Sequence, residues 1–199
     1  MKRYPEYIEI KGKRYKINTD FRVAIECNEI ANDSKISDYE RAMGILIKLF
    51  GTEIIDDGRN DFNVYSKALD LAQKYLSCGK EIKTSNDDVP DMDYVEDMDY
   101  IEASFMSDYN IDLSNIQMHW WKFYNLLNGL SKSELGNCCV LNRIRNLRNY
   151  DLSEIKDVKE RQKIKKAQEQ VALKKNKKEN NLTEKQKKSL EELNEILGI

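Results

Sequence analysis

The chain has 199 residues, of which 40% are hydrophobic and 34% are charged, and its formal net charge is −2. This length fits one domain of ordinary size with an extension, and no run of about 18 apolar residues exists that would cross a membrane. With 8 Gly and 2 Pro, the chain is poor in the residues that interrupt helices, which favours a helical fold. The first seven residues include two basic residues but have no apolar run behind them, so they do not form a secretory signal. With neither a signal nor a membrane span, we expect a cytoplasmic protein.

The first predicted element is a β-hairpin. Tyr7–Ile10 and Arg14–Ile17 alternate between polar and apolar residues, and the turn between them contains Gly12, which accepts the positive φ of a tight hairpin. A helix is predicted next, at about 20–31. Its apolar side consists of Phe21, Ala24, Ile25 and Cys27.

The second predicted helix opens with the capping-box sequence Ser37–Glu40 and ends at Gly51. Residues 52–60 are predicted to form a loop, because Asp57-Gly58 is a common turn pair. A third helix is predicted at about 61–77, and the polar residues 79–90 are interpreted as a linker. The two apolar stripes are Ala42, Met43, Leu46, Ile47, Leu49 and Phe50, and then Phe62, Tyr65, Leu69, Ala72, Tyr75 and Leu76.

Two further helices are predicted at about 91–107 and 114–129. In the first, Tyr94, Val95, Met98, Ile101 and Phe105 are expected to face inward, and the acids Asp93, Glu96 and Asp97 to form a solvated face. In the second, apolar residues recur at steps of three and four, which is the period of a core-facing helix. That stripe is Ile116, Trp120, Phe123, Leu127 and Leu130, and Trp120 and Phe123 are predicted to be buried between the fourth, fifth and sixth helices.

The sixth helix is predicted from the capping box Ser131–Glu134 to about Asn149, with Val140, Ile144 and Leu147 inward. A polar helix at about 152–176 follows, and a last helix opens with the capping box Thr183–Gln186. The elements predict a mainly α fold: an irregular helical bundle with a short N-terminal β-hairpin and a charged C-terminal helical extension. We divide it into a body, residues 1–150, and a lysine-rich extension, residues 151–199.

Charge is strongly separated along the chain. Residues 86–112 contain ten acids and no Lys or Arg, whereas residues 156–188 carry a net charge of +8. The basic stretch is interpreted first as a solvated helix, second as a protein-docking arm and third as a nucleic-acid contact. Nucleic acid ranks last because the stretch has no aromatic side chain to stack on nucleobases, and only one of its basic residues is Arg.

Catalytic constellations are absent from the sequence. The single histidine, His119, lies between Met118 and Trp120 and is expected to bond a neighbouring backbone group or carboxylate. The four cysteines lack metal-ligand spacing and are expected to be reduced thiols: Cys27, Cys78, Cys138 and Cys139. The chain contains no Gly-rich phosphate loop. We therefore expect no catalytic residue, no metal and no cofactor, and we expect that the protein is not an enzyme.

Several segments together resemble a known phage family. Tyr109-Asn110-Ile111-Asp112-Leu113 precedes Met118-His119-Trp120-Trp121-Lys122-Phe123, and Asp97–Phe105, Leu126–Leu130, Ile17–Arg22 and Arg143–Arg145 add to the likeness. Over residues 7–172 the chain is similar to the tail-assembly chaperone-like proteins of Gram-positive tailed phages and prophages, whose genes lie between the tail tube and tape-measure genes. The core of the motif is His119, Trp120, Trp121 and Phe123.

The resemblance implies a tail-assembly chaperone that binds the tape-measure protein and keeps it soluble in the cytoplasm of the infected or lysogenic host. The tail tube protein is a second candidate partner, and self-association is left open. A structural tail or head–tail joining protein is the first alternative, and a nucleic-acid-binding accessory protein is the second. The candidate partner-binding residues are Leu190, Leu193, Ile196, Leu197, Lys165 and Lys166.

Overall fold

A two-stranded hairpin opens the computed structural model, which describes residues 4–80, 90–132 and 138–174. Strands β1 (Tyr7–Ile10) and β2 (Lys13–Lys16) pair antiparallel, with Ile10 opposite Lys13. Lys11 and Gly12 form the turn with φ of 51° and 79°. Two positive φ angles in succession define the turn type whose twist matches a hairpin. The predicted hairpin is confirmed.

The next two helices follow their sequence signals closely. Helix α1 (Phe21–Asn32) is capped by the Asp20 side chain, and helix α2 (Asp38–Phe50) by the complete Ser37–Glu40 capping box. The predicted apolar side of α1 is buried throughout. Gly51 ends α2 with φ of 80°, a conformation that favours glycine.

The predicted loop at 52–60 is wrong, because these residues form helix α3 (Glu53–Asn60). Ile54 and Ile55 are buried, and their packing outweighs the turn preference of Asp57-Gly58. Gly58 is buried inside this helix, where a Cβ would lie 3.0 Å from the Tyr65 ring. A larger residue at this position would therefore push the Tyr65 ring by a few tenths of an ångström.

Helix α4 (Phe62–Leu76) lies where it was predicted, but its buried face is shifted. Val64, Ala68, Ala72 and Tyr75 are buried, whereas Phe62 is 78% exposed. The prediction that Phe62 joins the core stripe is wrong. Phe62 is the first residue of the helix and stacks on Tyr65 at the surface, with ring centroids 6.4 Å apart.

Helices α5 (Met98–Tyr109) and α6 (Trp120–Asn128) both begin later than predicted. Before α5, the Asp93 carboxylate accepts from the backbone N–H groups of Val95 and Glu96, which favours a turn. Before α6, Trp120 N donates to Thr19 O at 2.8 Å. The residues just before α6 therefore pair with the segment before α1 and do not form a helix. Ile116 consequently lies outside α6.

The remaining described elements are helix α7 (Val140–Arg148), a 3-10 turn (Leu152–Glu154) and helix α8 (Val158–Val171). The buried residues of α7 are Leu141 and Asn142, whereas the predicted inward Val140 is only half-buried. The polar helix predicted at 152–176 is divided, because Asp157 caps α8 by accepting from Glu160 N. The capping box at Ser131–Glu134 falls partly, and that at Thr183 wholly, outside the described residues.

The described residues fall into two compact units. The first comprises residues 4–80 with 104–130, the second 90–103 with 131–132 and 138–174, and one of the three boundaries along the chain lies within α5. Within the described ranges, no helix has the length and apolar character needed to span a membrane. The mainly α fold with an N-terminal hairpin is confirmed. The division at residue 150 stays a prediction.

Candidate functional site

His119 is the N-cap residue of α6. Its Nδ1 accepts a hydrogen bond from Trp121 N at 3.0 Å, and its Nε2 lies 3.0 Å from the carbonyl oxygen of Pro5. A neutral imidazole with its proton on Nε2 satisfies both contacts, since Nδ1 must accept and Nε2 must donate. Tyr4 stacks on the ring with centroids 5.0 Å apart. The expected backbone bond of His119 is therefore present, although it was expected inside a helix.

The two tryptophans of the motif bind the end of α4. Trp120 Nε1 donates to Leu76 O at 3.0 Å, and Trp121 Nε1 donates to Tyr75 O at 2.9 Å. The last carbonyls of a helix lack intrahelical partners and need donors from elsewhere. The adjacent indoles supply these donors, so the tryptophan pair fixes where α4 ends relative to α6.

Phe123 completes the motif in the interior of the first unit. Its ring stacks on Phe21 of α1 with centroids 4.5 Å apart and on Phe105 of α5 with centroids 5.2 Å apart. Phe123 and Trp120 are buried, as predicted, but the closest ring to Phe123 belongs to α1, which the sequence interpretation did not place there. The family-motif core therefore joins four helices and the N-terminal segment.

The surface of the first unit carries an apolar groove of about 680 Å³. Its walls come from α1, α2, α4 and α6, and the residues that line it are Asn28, Ala31, Ala42, Ile45, Leu69, Ala72, Gln73, Leu76, Ser77, Lys80 and Tyr124. Three alanines, from α1, α2 and α4, have short side chains that leave space in the groove. Ile45, Leu69 and Leu76 are only half-buried, so each of them leaves apolar surface open to solvent.

The chemistry of the groove favours binding an apolar helix. Three aliphatic side chains supply the apolar contact area. Lys80 supplies a positive charge, and its Nζ lies 4.6 Å from the centroid of the Tyr124 ring. Grooves of this kind accept the apolar face of an amphipathic helix. Sequence analysis missed this surface. The available signal was the apolar width of α2, since Ala42, Ile45 and Leu49 lie on one side of the helix while Met43, Ile47 and Phe50 extend the apolar surface to the next side.

A second cleft of about 620 Å³ lies between the chain before α1, the end of α2 and residues 117–119. Backbone groups in its walls already bond one another, as Asn18 N does with Leu49 O at 2.7 Å. Its walls also carry Lys16, Asp20 and Lys48, so it is the more polar of the two openings. The apolar groove is therefore the better candidate for a protein partner.

The second unit contains a buried ion pair between Arg148 of α7 and Asp97 before α5, whose side chains are 9% and 1% exposed. The prediction that Asp97 lies on a solvated face is therefore wrong. The hydrogen bonds with Asp97 raise the pKa of the Arg148 guanidinium above its usual range. Asp91 pairs with Arg145 at 3.0 Å, so part of the acidic run is neutralised within the unit.

The candidate partner-binding residues are only partly described. Lys165 and Lys166 lie exposed on α8, whereas Leu190, Leu193, Ile196 and Leu197 lie outside the described residues. All four cysteines are free thiols. Burial raises the pKa of Cys27 to about 12 and that of Cys78 to about 11, so both stay protonated at neutral pH and are poor nucleophiles.

The chain is a small, mainly helical protein with an N-terminal hairpin and an apolar surface groove. A family model described as Bacteriophage Gp15 protein matches residues 2–173. The chain belongs to this bacteriophage protein family. No curated protein and no solved structure matches the chain.

Proposed function

We propose that this protein is a phage tail-assembly chaperone that holds an apolar helical stripe of the tape-measure protein in the groove between α1, α2 and α4. In this proposal it acts by binding and not by catalysis. The observation that carries the proposal is the groove itself, whose open aliphatic side chains offer a partner helix apolar contact. Membership of a bacteriophage protein family supports a role in phage morphogenesis.

The physical need for such a protein is clear. A long helical protein with an apolar stripe exposes that stripe until a tube encloses it, and exposed stripes associate with one another. A partner that covers the stripe prevents this association. Half-buried side chains such as Ile45 and Leu69 each contribute roughly 1 kcal/mol or somewhat more when covered, because part of their area is already buried. Binding of this strength is reversible, as displacement by the tail tube requires.

Co-expression with the tape-measure protein tests the proposal. Leu69→Glu places a charge in the groove, and Ala31→Trp fills the groove at an exposed position without burying a charge. Phe62→Glu is the matched control, because Phe62 lies on the same helix α4 and is exposed outside the groove. We expect the tape-measure protein in the soluble fraction with the wild type and the control, and in the pellet with either groove variant.

The result that would overturn this mechanism is a soluble tape-measure protein with both groove variants, after denaturation curves have shown that they fold. Mass spectrometry of purified virions separates the chaperone from a structural tail or head–tail joining protein. A chaperone is absent from finished particles, whereas a structural protein is present in them.

The lysines of α8 favour a second candidate function, nucleic-acid binding. Lys159, Lys163 and Lys166 are exposed on one side of the helix and form no ion pair within the described residues. Electrostatic binding of DNA or RNA weakens steeply as salt rises. Titration with duplex DNA at about 50 and 200 mM salt tests this function, because electrostatic affinity falls steeply over that range. Binding that weakens steeply indicates a polyanion-binding surface, and no binding indicates a solvated helix.

A further inference from the structure

The groove has a candidate occupant within the same chain. We propose that residues 189–199 bind in the groove when no client is present and that the client displaces them. The displacement rests on the proposed function, whereas the docking itself does not. The segment contains Leu190, Leu193, Ile196 and Leu197, and it follows the capping box that predicts a helix.

The apolar parts of the segment and of the groove correspond. Leu190, Leu193 and Leu197 are spaced by three and four residues, so a helix would bring them onto one side. On the body, Ile45, Leu69 and Leu76 present half-buried aliphatic surface from two helices. A stripe of leucines that is left in water and a groove that is left open both gain from covering each other.

The charges correspond as well. Residues 189–199 contain Glu191, Glu192 and Glu195 and no Lys or Arg, in contrast to the basic stretch before them. The charged side chain in the groove lining is Lys80. An acidic segment with an apolar side therefore suits this groove better than the lysine-rich stretch does, and this fit favours residues 189–199 over the rest of the C-terminal region.

The stretch of chain before the segment gives it a long reach. Fifteen residues separate Lys174, the last described residue, from Leu190, and they can span up to roughly 50 Å when extended. A tethered segment has an effective concentration on the order of 1 mM, so docking with a dissociation constant well below about 1 mM leaves the groove mostly covered. The same weakness lets a client with a longer apolar stripe replace the segment.

Binding of the dye anilinonaphthalene sulfonate to the full chain without any client tests the docking. The variant Leu190→Glu/Leu193→Glu/Leu197→Glu should release the segment, uncover the groove and raise dye fluorescence severalfold. The control Gln186→Glu/Ser189→Glu/Asn194→Glu adds the same charge at polar positions and should leave the fluorescence unchanged. Adding Ala31→Trp to the leucine variant should abolish the rise, because it fills the groove.

If the segment is free in the wild type, replacing three exposed leucines lowers the fluorescence or leaves it unchanged, and this outcome overturns the proposal. Zero-length carbodiimide cross-linking gives a second readout: we expect a bond between Lys80 and one of Glu191, Glu192 or Glu195 within a single chain. A cross-link found only between chains would assign the groove to a second copy and contradict the proposal. Both measurements omit the client, so their failure leaves the co-expression result intact.

Discussion

The Arg148 guanidinium donates two hydrogen bonds of 2.7 Å to Asp97, one to each carboxylate oxygen. The same guanidinium donates to Val171 O at 2.7 Å and to Asp91 O at 2.8 Å. One side chain thus joins the acidic stretch before α5, helix α7 and the end of α8. Every charged atom of the pair has partners, which is the condition under which a buried ion pair is tolerated.

The first prediction concerns this pair. Arg148→Met leaves the Asp97 carboxylate buried without its counter-ion, and we expect it to lower the free energy of unfolding by roughly 3–5 kcal/mol. Arg143→Met is the matched control, because Arg143 is exposed on the same helix. Urea denaturation followed by circular dichroism measures both. Equal stability of the two variants would show that the pair contributes nothing.

The second prediction concerns the bonds from the tryptophans to α4. Trp120→Ala should destabilise the protein by roughly 3–5 kcal/mol through lost packing. Trp120→Phe keeps an aromatic ring against Phe123 but removes the donor to Leu76 O, and we expect a loss of about 1–3 kcal/mol. Denaturation curves of the two variants separate packing from hydrogen bonding. A loss under about 1 kcal/mol for Trp120→Ala would contradict its placement in the core.

The third prediction concerns His119. Because its role is to cap α6, His119→Asn should retain most of the stability, and His119→Ala should cost about 0.5–2 kcal/mol. His119→Gln should leave the proposed protection of the tape-measure protein intact wherever the protein folds. Thermal denaturation and the co-expression assay are the measurements. A folded His119→Gln variant that no longer protects the tape-measure protein would show that this histidine has a role beyond capping.

The fourth prediction concerns acid stability. Asp57 accepts from Lys13 Nζ and Tyr15 Oη, both at 2.6 Å, and these bonds hold the pKa of its carboxyl below the ordinary value of 3.8. A lowered pKa in the folded state means that the stabilisation is complete above the unfolded pKa and is lost as the pH falls through the folded one. Asp57→Asn should therefore lower the urea midpoint at pH 7, and the difference from wild type should vanish in strong acid.

Lys13→Met provides the control for this pH dependence, because the Lys13 bond is the largest cause of the lowered pKa. In the Lys13→Met background, the pH-dependent effect of Asp57→Asn should shrink. If the difference in stability between wild type and Asp57→Asn is the same at pH 7 and in strong acid, the charge of the Asp57 carboxylate does not stabilise the fold.

The sequence alone determined the features whose physics is local. The turn at Lys11-Gly12 needs only the conformational freedom of the backbone, and the Ser37–Glu40 capping box needs only groups three residues apart. The buried side of α1 was predictable because its period reports a single packed face. For the same reason the burial of Trp120 and Phe123 could be predicted without knowing which helices cover them.

Only the tertiary structure decided the features that depend on distant partners. Asp97 is one acid among many in its segment, and nothing local distinguishes the one that meets an arginine 51 residues away. Gly58 belongs to a helix because Ile54 and Ile55 of the same segment are buried, and their packing outweighs the local turn preference of Asp57-Gly58. The groove arises where Ala31, Ala42 and Ala72 from separate helices meet. A small residue leaves a gap only in relation to its neighbours, and those neighbours are set by the packing of the whole unit.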